Sequence, residues 1–227
     1  IGIPRALFYY QFYPLWKIFF ESLGHNVILS SPTNKEILKK GIELCVDDAC
    51  LPIKIFHGHV ADLMGKVDTI YIPRIVSIEP KEYICPKFLG LPDMIRNSIP
   101  DLPCIMDTEL NLYRGKSKIF DYVFKLGKDL NANKNRVLVA YYKALKTQKQ
   151  FEYQLTRELR IPQDILNETR QIQKDQVLEK KPSHIKVLLL GHNYNIYDDF
   201  ISMGLIRKLR KQNIAFITSE MVVKKNI

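Results

Sequence analysis

A cysteine-bearing stretch of this sequence decides the fold: Cys45-Val-Asp-Asp-Ala-Cys50-Leu-Pro-Ile-Lys-Ile-Phe-His57-Gly-His59, leading into the apolar run Asp68-Thr-Ile-Tyr-Ile72. A helical pattern begins after Cys50, has Pro52 in its first turn, and ends at Gly65. The apolar run that follows is typical of a buried strand. A helix that returns the chain to a buried strand is half of a βαβ unit, so this stretch predicts a parallel sheet.

The residues around this stretch continue the alternation of strands and helices. An edge strand is expected at 1–3, followed by a helix that begins after Pro14 and is closed by Gly24. Further strands are expected at 25–30, 68–72 and 103–107, and further helices at 34–40 (stopped by Gly41), 51–64, 92–98 and 116–128. This rhythm predicts an α/β protein.

The pattern changes after position 133 to nearly continuous helix, which is broken at Pro162 and continues over 163–178. Strands are then expected at 185–190 and 215–218, separated by a loop over 191–198 and by a helix whose apolar face includes Phe200, Met203, Ile206 and Leu209. The α/β rhythm therefore resumes near the end of the sequence.

Two cysteines occupy positions suited to metal chemistry. Cys50 precedes a helix N-terminus, where the helix dipole favours the thiolate, and Pro86 holds Cys85 extended in a loop. Soft iron or zinc sites require thiolates presented in this way. Core packing explains any single cysteine equally well, but the joint pattern favours a metal role for this pair. Cys45 and Cys104 lie in apolar runs and are assigned structural roles.

The composition excludes several classes of protein. Of the 227 residues, 46% are hydrophobic and 26% charged, as in soluble globular proteins, and no apolar run approaches a membrane span. The sequence shows no secretory signal, so we expect a cytoplasmic protein with reduced thiols.

The net charge of +10 is concentrated in residues 134–186, with twelve basic against six acidic side chains, and again at 207–211. A solvated helical surface, an acidic protein partner or a phosphate-bearing ligand would each explain it. Nucleic acid ranks last, because no recognition motif is present.

Two histidines and two arginines are further candidates for the site. His57 and His59 are two residues apart on the predicted helix, so a shared metal ion is less favoured than hydrogen bonding beneath the cysteine loop. Arg5 and Arg74 both follow strands near prolines and are expected to face one anion-binding crevice.

The loop Gly191-His-Asn-Tyr194 follows a strand and precedes a helix, where open α/β sheets bind ligands. His192 and Tyr194 would either orient an acyl thioester or cap the helix together with Asp198. The sequence contains no Ser–His–Asp order, P-loop or HExxH motif, so it predicts no hydrolase or ATPase, and no catalytic residue is assigned.

Five segments, taken in order, carry a resemblance to a known family: Gly2–Leu7, Ala49–His59, Ile72–Val76, Tyr83–Asp93 and Leu190–Asp198. They resemble the uncharacterised family related to 2-hydroxyacyl-CoA dehydratases and their activases. The resemblance implies two Rossmann-like domains, anaerobic metabolism and a [4Fe–4S] cluster near the domain interface. In the dehydratases that cluster receives an electron from an ATP-hydrolysing activase.

Cys50 and Cys85 fall on the family's motifs, so the resemblance implies that they are cluster ligands. The dehydratases use three cysteines. The third ligand would come from beyond this sequence or from Cys45 or Cys104, or else no complete cluster forms. The pattern and the resemblance together predict a Rossmann-like first domain over 1–130, a helical connector over 131–183, and the start of a second Rossmann-like domain over 184–227. Because two strands and one helix cannot enclose a core, this second domain is expected either to be truncated or to complete itself on another surface.

The predicted function is an iron–sulfur protein of the 2-hydroxyacyl-CoA dehydratase type that accepts electrons from an ATP-dependent activase. The alternatives are a non-catalytic scaffold that docks the activase without a cluster, and a zinc- or small-ligand-binding module. The expected partners are the activase or an acidic redox protein, an acyl-CoA-like ligand, and further copies of the chain. Whether the chain is itself an enzyme stays open.

Overall fold

The computed structural model describes residues 1–167 and 185–223, so most of the helix predicted at 163–178 lies outside the described residues. The strands are β1 Gly2–Ile3, β2 Ile28–Leu29, β3 Thr69–Tyr71, β4 Arg74–Ser77, β5 Cys104–Met106, β6 Glu109–Asn111, β7 Lys186–Leu189 and β8 Ala215–Thr218. The helices are α1 Tyr9–Ser22, α2 Lys35–Leu44, α3 Leu51–Leu63, α4 Lys87–Ser98, α5 Lys118–Asp129, α6 Lys134–Thr156, α7 Pro162–Asn167, α8 Asn193–Tyr197, α9 Leu205–Lys211 and α10 Ser219–Val223.

The chain divides into two compact units. The first contains residues 1–5 and 15–145, and the second contains residues 6–14 and 146–227. The predicted domain boundaries near 130 and 184 stay predictions.

The first unit is built on a parallel sheet with the strand order β2-β1-β3-β5. A strand order in which the chain moves first to one side of β1 and then to the other is that of doubly wound α/β folds. The predicted α/β class with a parallel sheet is therefore confirmed. The prediction of an edge strand at 1–3 is wrong, because β1 pairs with both β2 and β3 and buries Ile3.

A second parallel ladder, which the sequence analysis missed, extends this sheet beyond its carboxyl edge. β4 begins three residues after the end of β3, β6 begins three residues after the end of β5, and the two pair in parallel. The two strands are only four and three residues long, so each contains too few positions for an alternating pattern to be recognised in the sequence.

Two helix boundaries differ from the prediction for physical reasons. α2 runs through Gly41, because the glycine allows α3 to approach closely. α1 begins at Tyr9 and contains Pro14, whose missing amide removes one hydrogen bond. Aromatic residues buried on both sides of that proline, among them Tyr10 and Phe20, keep the helix continuous.

The second unit contains a parallel β7–β8 pair among its described residues. β8 coincides with the predicted strand at 215–218. The region predicted as a loop after β7 contains the short helix α8, and the helix predicted from Phe200 begins instead at Leu205, after Gly204 in the left-handed region. Among the described residues, no helix is long and apolar enough to cross a lipid bilayer.

Candidate functional site

Cys50 and Cys85 both lie at helix N-termini in the first unit. Cys50 is the N-cap residue of α3, and its carbonyl accepts hydrogen bonds from the amides of Ile53 and Lys54 at 3.0 and 3.2 Å. Cys85 immediately precedes Pro86, the N-cap of α4, and its carbonyl accepts a hydrogen bond from the Phe88 amide at 3.0 Å. Both cysteines are exposed, so they are accessible to an external group.

The topology brings these two cysteines to one edge of the sheet. α3 leads into β3 and α4 leads into β5, and both strands point the same way. A helix that returns the chain to the start of a parallel strand begins at the carboxyl edge of the sheet. The amino ends of α3 and α4, with Cys50 and Cys85, therefore lie along the edge where such folds bind ligands.

The other two cysteines have different surroundings. Cys45 is the buried C-cap residue of α2. Burial raises the pKa of its thiol, the nearby Cys50 acts in the same direction, and the charges of Lys54 and Lys87 oppose the shift. Cys104 is exposed at the amino end of β5, the edge of the sheet opposite to α3's first turn. The fold therefore places Cys45 near Cys50 and places Cys104 at the other end of the sheet.

A complete metal site is not formed within the described residues, where no three His, Cys, Asp or Glu side chains cluster closely enough to hold an ion. A [4Fe–4S] cluster takes up to four cysteine ligands. The role of Cys50 and Cys85 as ligands of such a cluster stays a prediction.

The two histidines on α3 lie in the interior as hydrogen-bonding residues. His57 is buried and its Nδ1 donates to the Ile53 carbonyl at 2.8 Å, and burial lowers the pKa of its ring. His59 is fully buried, with Nδ1 2.8 Å from the Ser30 hydroxyl and Nε2 3.0 Å from the Thr33 hydroxyl. Both nitrogens of His59 thus serve the protein's own hydroxyl groups.

His59 connects α3 to the carboxyl ends of β1 and β2. Ser30, which follows β2, also accepts a hydrogen bond from the backbone amide of Arg5, which follows β1. Burial lowers the pKa of His59 to about 3, with the Arg5 charge acting in the same direction and Asp62 opposing it. The imidazole is therefore neutral near pH 7, and it fixes the position of the helix that carries Cys50.

The two candidate arginines belong to different strands: Arg5 follows β1, and Arg74 is the first residue of β4. Arg74 donates to both carboxylate oxygens of Asp93 at 2.5 Å and to Asp107 at 3.0 Å. The hydrogen bonds to Asp93 raise the pKa of Arg74 further above its usual range. Arg96 contacts the same two carboxylates, so Arg74 belongs to a four-member ion-pair network. The anion-binding role expected of Arg5 and Arg74 stays a prediction.

His192 and Tyr194 lie in the second unit with their rings stacked, the centroids 5.1 Å apart. His192 is the N-cap residue of α8 but makes no side-chain capping bond. Asp198 does cap the following turn, because its Oδ1 accepts hydrogen bonds from the amides of Phe200 and Ile201 at 2.9 Å. The acyl-thioester role expected of the loop stays a prediction.

Asn193, the residue between His192 and Tyr194 in the sequence, is a polar residue of this site that the sequence pattern does not predict. Asn193 is buried, and its amide nitrogen donates to Glu220 at 2.9 Å and to the Gln11 side chain at 3.2 Å. The one signal in the sequence is its position, since the asparagine directly opens a helix after a parallel strand.

The fold and the site thus define an α/β protein with two exposed cysteines at helix N-termini on the carboxyl edge of a parallel sheet. Residues 1–222 match the family described as CoA enzyme activase uncharacterised domain (DUF2229). The chain belongs to this family, which confirms the relation to CoA enzyme activases. No curated protein and no solved structure matches the chain.

Proposed function

We propose that this chain is a cytoplasmic iron–sulfur protein of a 2-hydroxyacyl-CoA dehydratase system, working with an ATP-dependent activase. The observation that carries the proposal is the exposure of Cys50 and Cys85 at two helix N-termini on one sheet edge. Membership of the activase-related family supports the choice of reaction system.

The chemistry of the two cysteines suits them to hold an iron–sulfur cluster. Both sulfurs are exposed beside the amino end of a helix, which stabilises nearby negative charge such as that of an anionic cluster. When bound, such a cluster supplies one-electron transfer. Lys54 and Lys87 lie close enough to act on the neighbouring Cys45, and their positive charges would also favour an anionic cluster.

Because one chain presents two such thiols, we propose that the cluster is completed by a second protein chain, either another copy or the activase. A symmetric dimer in which each copy supplies Cys50 and Cys85 would provide the four thiolates that such a cluster binds. This proposal is consistent with the absence of a three-ligand group among the described residues.

That same finding favours a second candidate, a scaffold that docks the activase without a cluster. Anaerobic purification of the full chain, followed by reconstitution with iron and sulfide, separates the two candidates. Iron, zinc and sulfide content, the visible spectrum and the molecular mass in solution should be measured together. For the iron–sulfur protein we expect bound iron and sulfide, visible absorption, and a larger assembly when the cluster is present.

Serine variants assign the ligands. Cys50→Ser and Cys85→Ser should each abolish cluster loading, whereas Cys104→Ser is the matched control, because Cys104 is also exposed but lies at the opposite sheet edge. A colourless, iron-free wild-type protein would favour the scaffold, and retained zinc would favour a zinc module. If Cys104→Ser loses iron while Cys50→Ser and Cys85→Ser retain it, the proposed ligand assignment is wrong.

The basic charge of the chain bears on the partner. A net charge of +10 would attract an acidic activase or redox protein. Their association should then weaken steeply as the salt concentration rises from about 0.05 to 0.5 M, because the Debye length shortens over that range. Binding that does not respond to salt would assign the contact to other surfaces.

A further inference from the structure

The second unit contains a pocket of about 250 Å³ whose described lining residues include no cysteine. One wall is a face of α6, where helical spacing aligns four side chains at i, i+3, i+4 and i+7. These are Gln148, Phe151, Glu152 and Leu155, and Gln11 and Glu220 contribute on other sides. The pocket thus combines apolar walls with amide and carboxylate groups.

The pocket lies where a parallel sheet places its ligands. Ser219 and Glu220 directly follow β8, and Gly191 lies just beyond β7. The Ser219 hydroxyl donates to the Gly191 carbonyl at 3.3 Å, which ties the two strand ends together. Ligands of open α/β sheets bind outside the carboxyl ends of the strands. The position therefore matches that of a ligand site.

The hydrogen bonds around the pocket leave an acceptor available to a ligand. The Gln148 amide nitrogen donates to the Gln11 carbonyl at 2.9 Å and to Glu152 at 3.2 Å. The Gln148 side-chain oxygen is buried and has no hydrogen-bond partner among the described residues, and Gln148 is only 5% exposed. A buried acceptor without a partner is costly, so a ligand that donates to it would be stabilised.

The charge of the pocket lining determines which kind of hydrogen-bond donor a ligand should carry. Glu152 and Glu220 both line the pocket, and each carboxylate already accepts one amide hydrogen bond, from Gln148 and Asn193 respectively. No lysine or arginine is among the residues that line it in the described part of the chain. Two carboxylates favour a cation and repel polyanions such as an acyl-CoA.

We propose that this pocket binds a small aliphatic ammonium compound. The ammonium group would donate to the Gln148 oxygen and pair with Glu152 or Glu220, and its short alkyl chain would pack on Phe151 and Leu155, which are 2% and 6% exposed. The volume equals about eight waters at roughly 30 Å³ each, which suits a ligand of similar heavy-atom count.

Calorimetric titration of the full chain with n-butylammonium chloride tests the site, with sodium butanoate and butan-1-ol as probes of the same length. We expect the ammonium salt to bind and the anion not to bind. Gln148→Met removes the acceptor while keeping the side-chain length, and should weaken binding about tenfold or more. Gln150→Met is the matched control on the same helix. Because Gln150 is exposed, this substitution should leave binding unchanged.

A second variant keeps the proposal testable if Gln148→Met does not fold. Glu220→Gln removes one charge at nearly constant shape and should also weaken binding of the ammonium salt, with circular dichroism confirming the fold. The proposal is overturned if wild type binds no ammonium salt and the pocket holds water only. It is equally overturned if butanoate binds as well as n-butylammonium, or if neither variant changes the affinity.

Discussion

Gly41 of α2 and Gly58 of α3 lie against each other where the two helices cross, and neither position has room for a side chain. A Cβ atom on Gly41 would lie 1.9 Å from the Lys54 carbonyl oxygen, and one on Gly58 would lie 1.9 Å from the Ile37 carbonyl oxygen. Both obstacles are backbone atoms, so a larger residue would force the helices apart. Since α3 carries Cys50 at its N-terminus, this crossing also fixes the position of the cysteine.

The first prediction is that Gly58→Ala lowers the free energy of unfolding by about 3 kcal/mol or more, because overpacking against backbone has no cheap relief. Denaturant unfolding monitored by circular dichroism measures the change. Gly90→Ala in α4 is the control, since no atom lies within 4 Å of the added Cβ. It should stabilise the protein by up to about 1 kcal/mol through helix propensity. Equal stabilities of the two variants would contradict the close crossing.

The second prediction concerns acid. His59 has a folded-state pKa of about 3 against an ordinary value of 6.5, so between these values the unfolded chain binds more protons than the folded one. The contribution of neutral His59 to the free energy of unfolding is therefore fully present above pH 6.5 and is lost as the pH falls toward 3. Over this range the free energy of unfolding should change by up to about 1.4 kcal/mol per pH unit for one titrating group. Denaturant unfolding at several pH values between about 4 and 7 measures it.

The control for this pH dependence uses two histidine variants. His59→Gln should be less stable at neutral pH, because it loses one of the contacts to Ser30 and Thr33, but its slope in the acid range should be reduced. His192→Gln changes an exposed ring and should keep the wild-type slope. An unchanged slope in His59→Gln would assign the pH dependence to other groups.

The strands and helices with strong periodic patterns can be predicted from the sequence. The sequence predicts β8 at its observed residues and α3 to within one residue, because both have clear boundaries and an apolar pattern. The helix stop predicted at Gly41 is wrong. A glycine marks either a helix end or a close helix crossing, and the sequence alone does not show which neighbour approaches it.

The candidate site can be predicted only as far as local position. The capping position of Cys50 follows from Pro52, and the loop position of Cys85 follows from Pro86. The pocket in the second unit escapes sequence reasoning, because it combines Gln11 with residues of α6 and with Glu220 near the other end of the chain. Such a site depends on tertiary packing between distant segments.

The third prediction concerns the network of Arg74, Asp93, Arg96 and Asp107. Arg74→Met should destabilise the protein by about 1 kcal/mol at low salt, and the effect should shrink as salt is added, because the four side chains are partly exposed. Arg74→Lys should recover only part of the loss, since an ammonium group lacks the bidentate geometry. Denaturant unfolding at low and high salt gives both values.

A surface pair provides the comparison for this network. Lys39 and Glu43 are 3.9 Å apart, with side chains 79% and 59% exposed. Lys39→Met should change the free energy of unfolding by less than about 0.5 kcal/mol at any salt concentration. A salt-independent loss in Arg74→Met would point to packing of the arginine stem instead of charge.

The last prediction concerns the buried hydroxyl groups of Tyr71 and Tyr122, which form a hydrogen bond between β3 and α5. Both residues are buried, so removing one hydroxyl leaves the other without its partner in an apolar environment. Tyr71→Phe and Tyr122→Phe should each cost about 1–2 kcal/mol. The double variant removes both polar groups at once and should cost less than the sum of the two single variants by about 1 kcal/mol, which a double-mutant cycle of unfolding free energies measures.

Tyr83→Phe is the control: the Tyr83 side chain is 68% exposed, so this substitution should change the free energy of unfolding by less than about 0.5 kcal/mol. Strictly additive effects of the two buried substitutions would mean that the hydroxyls do not depend on each other.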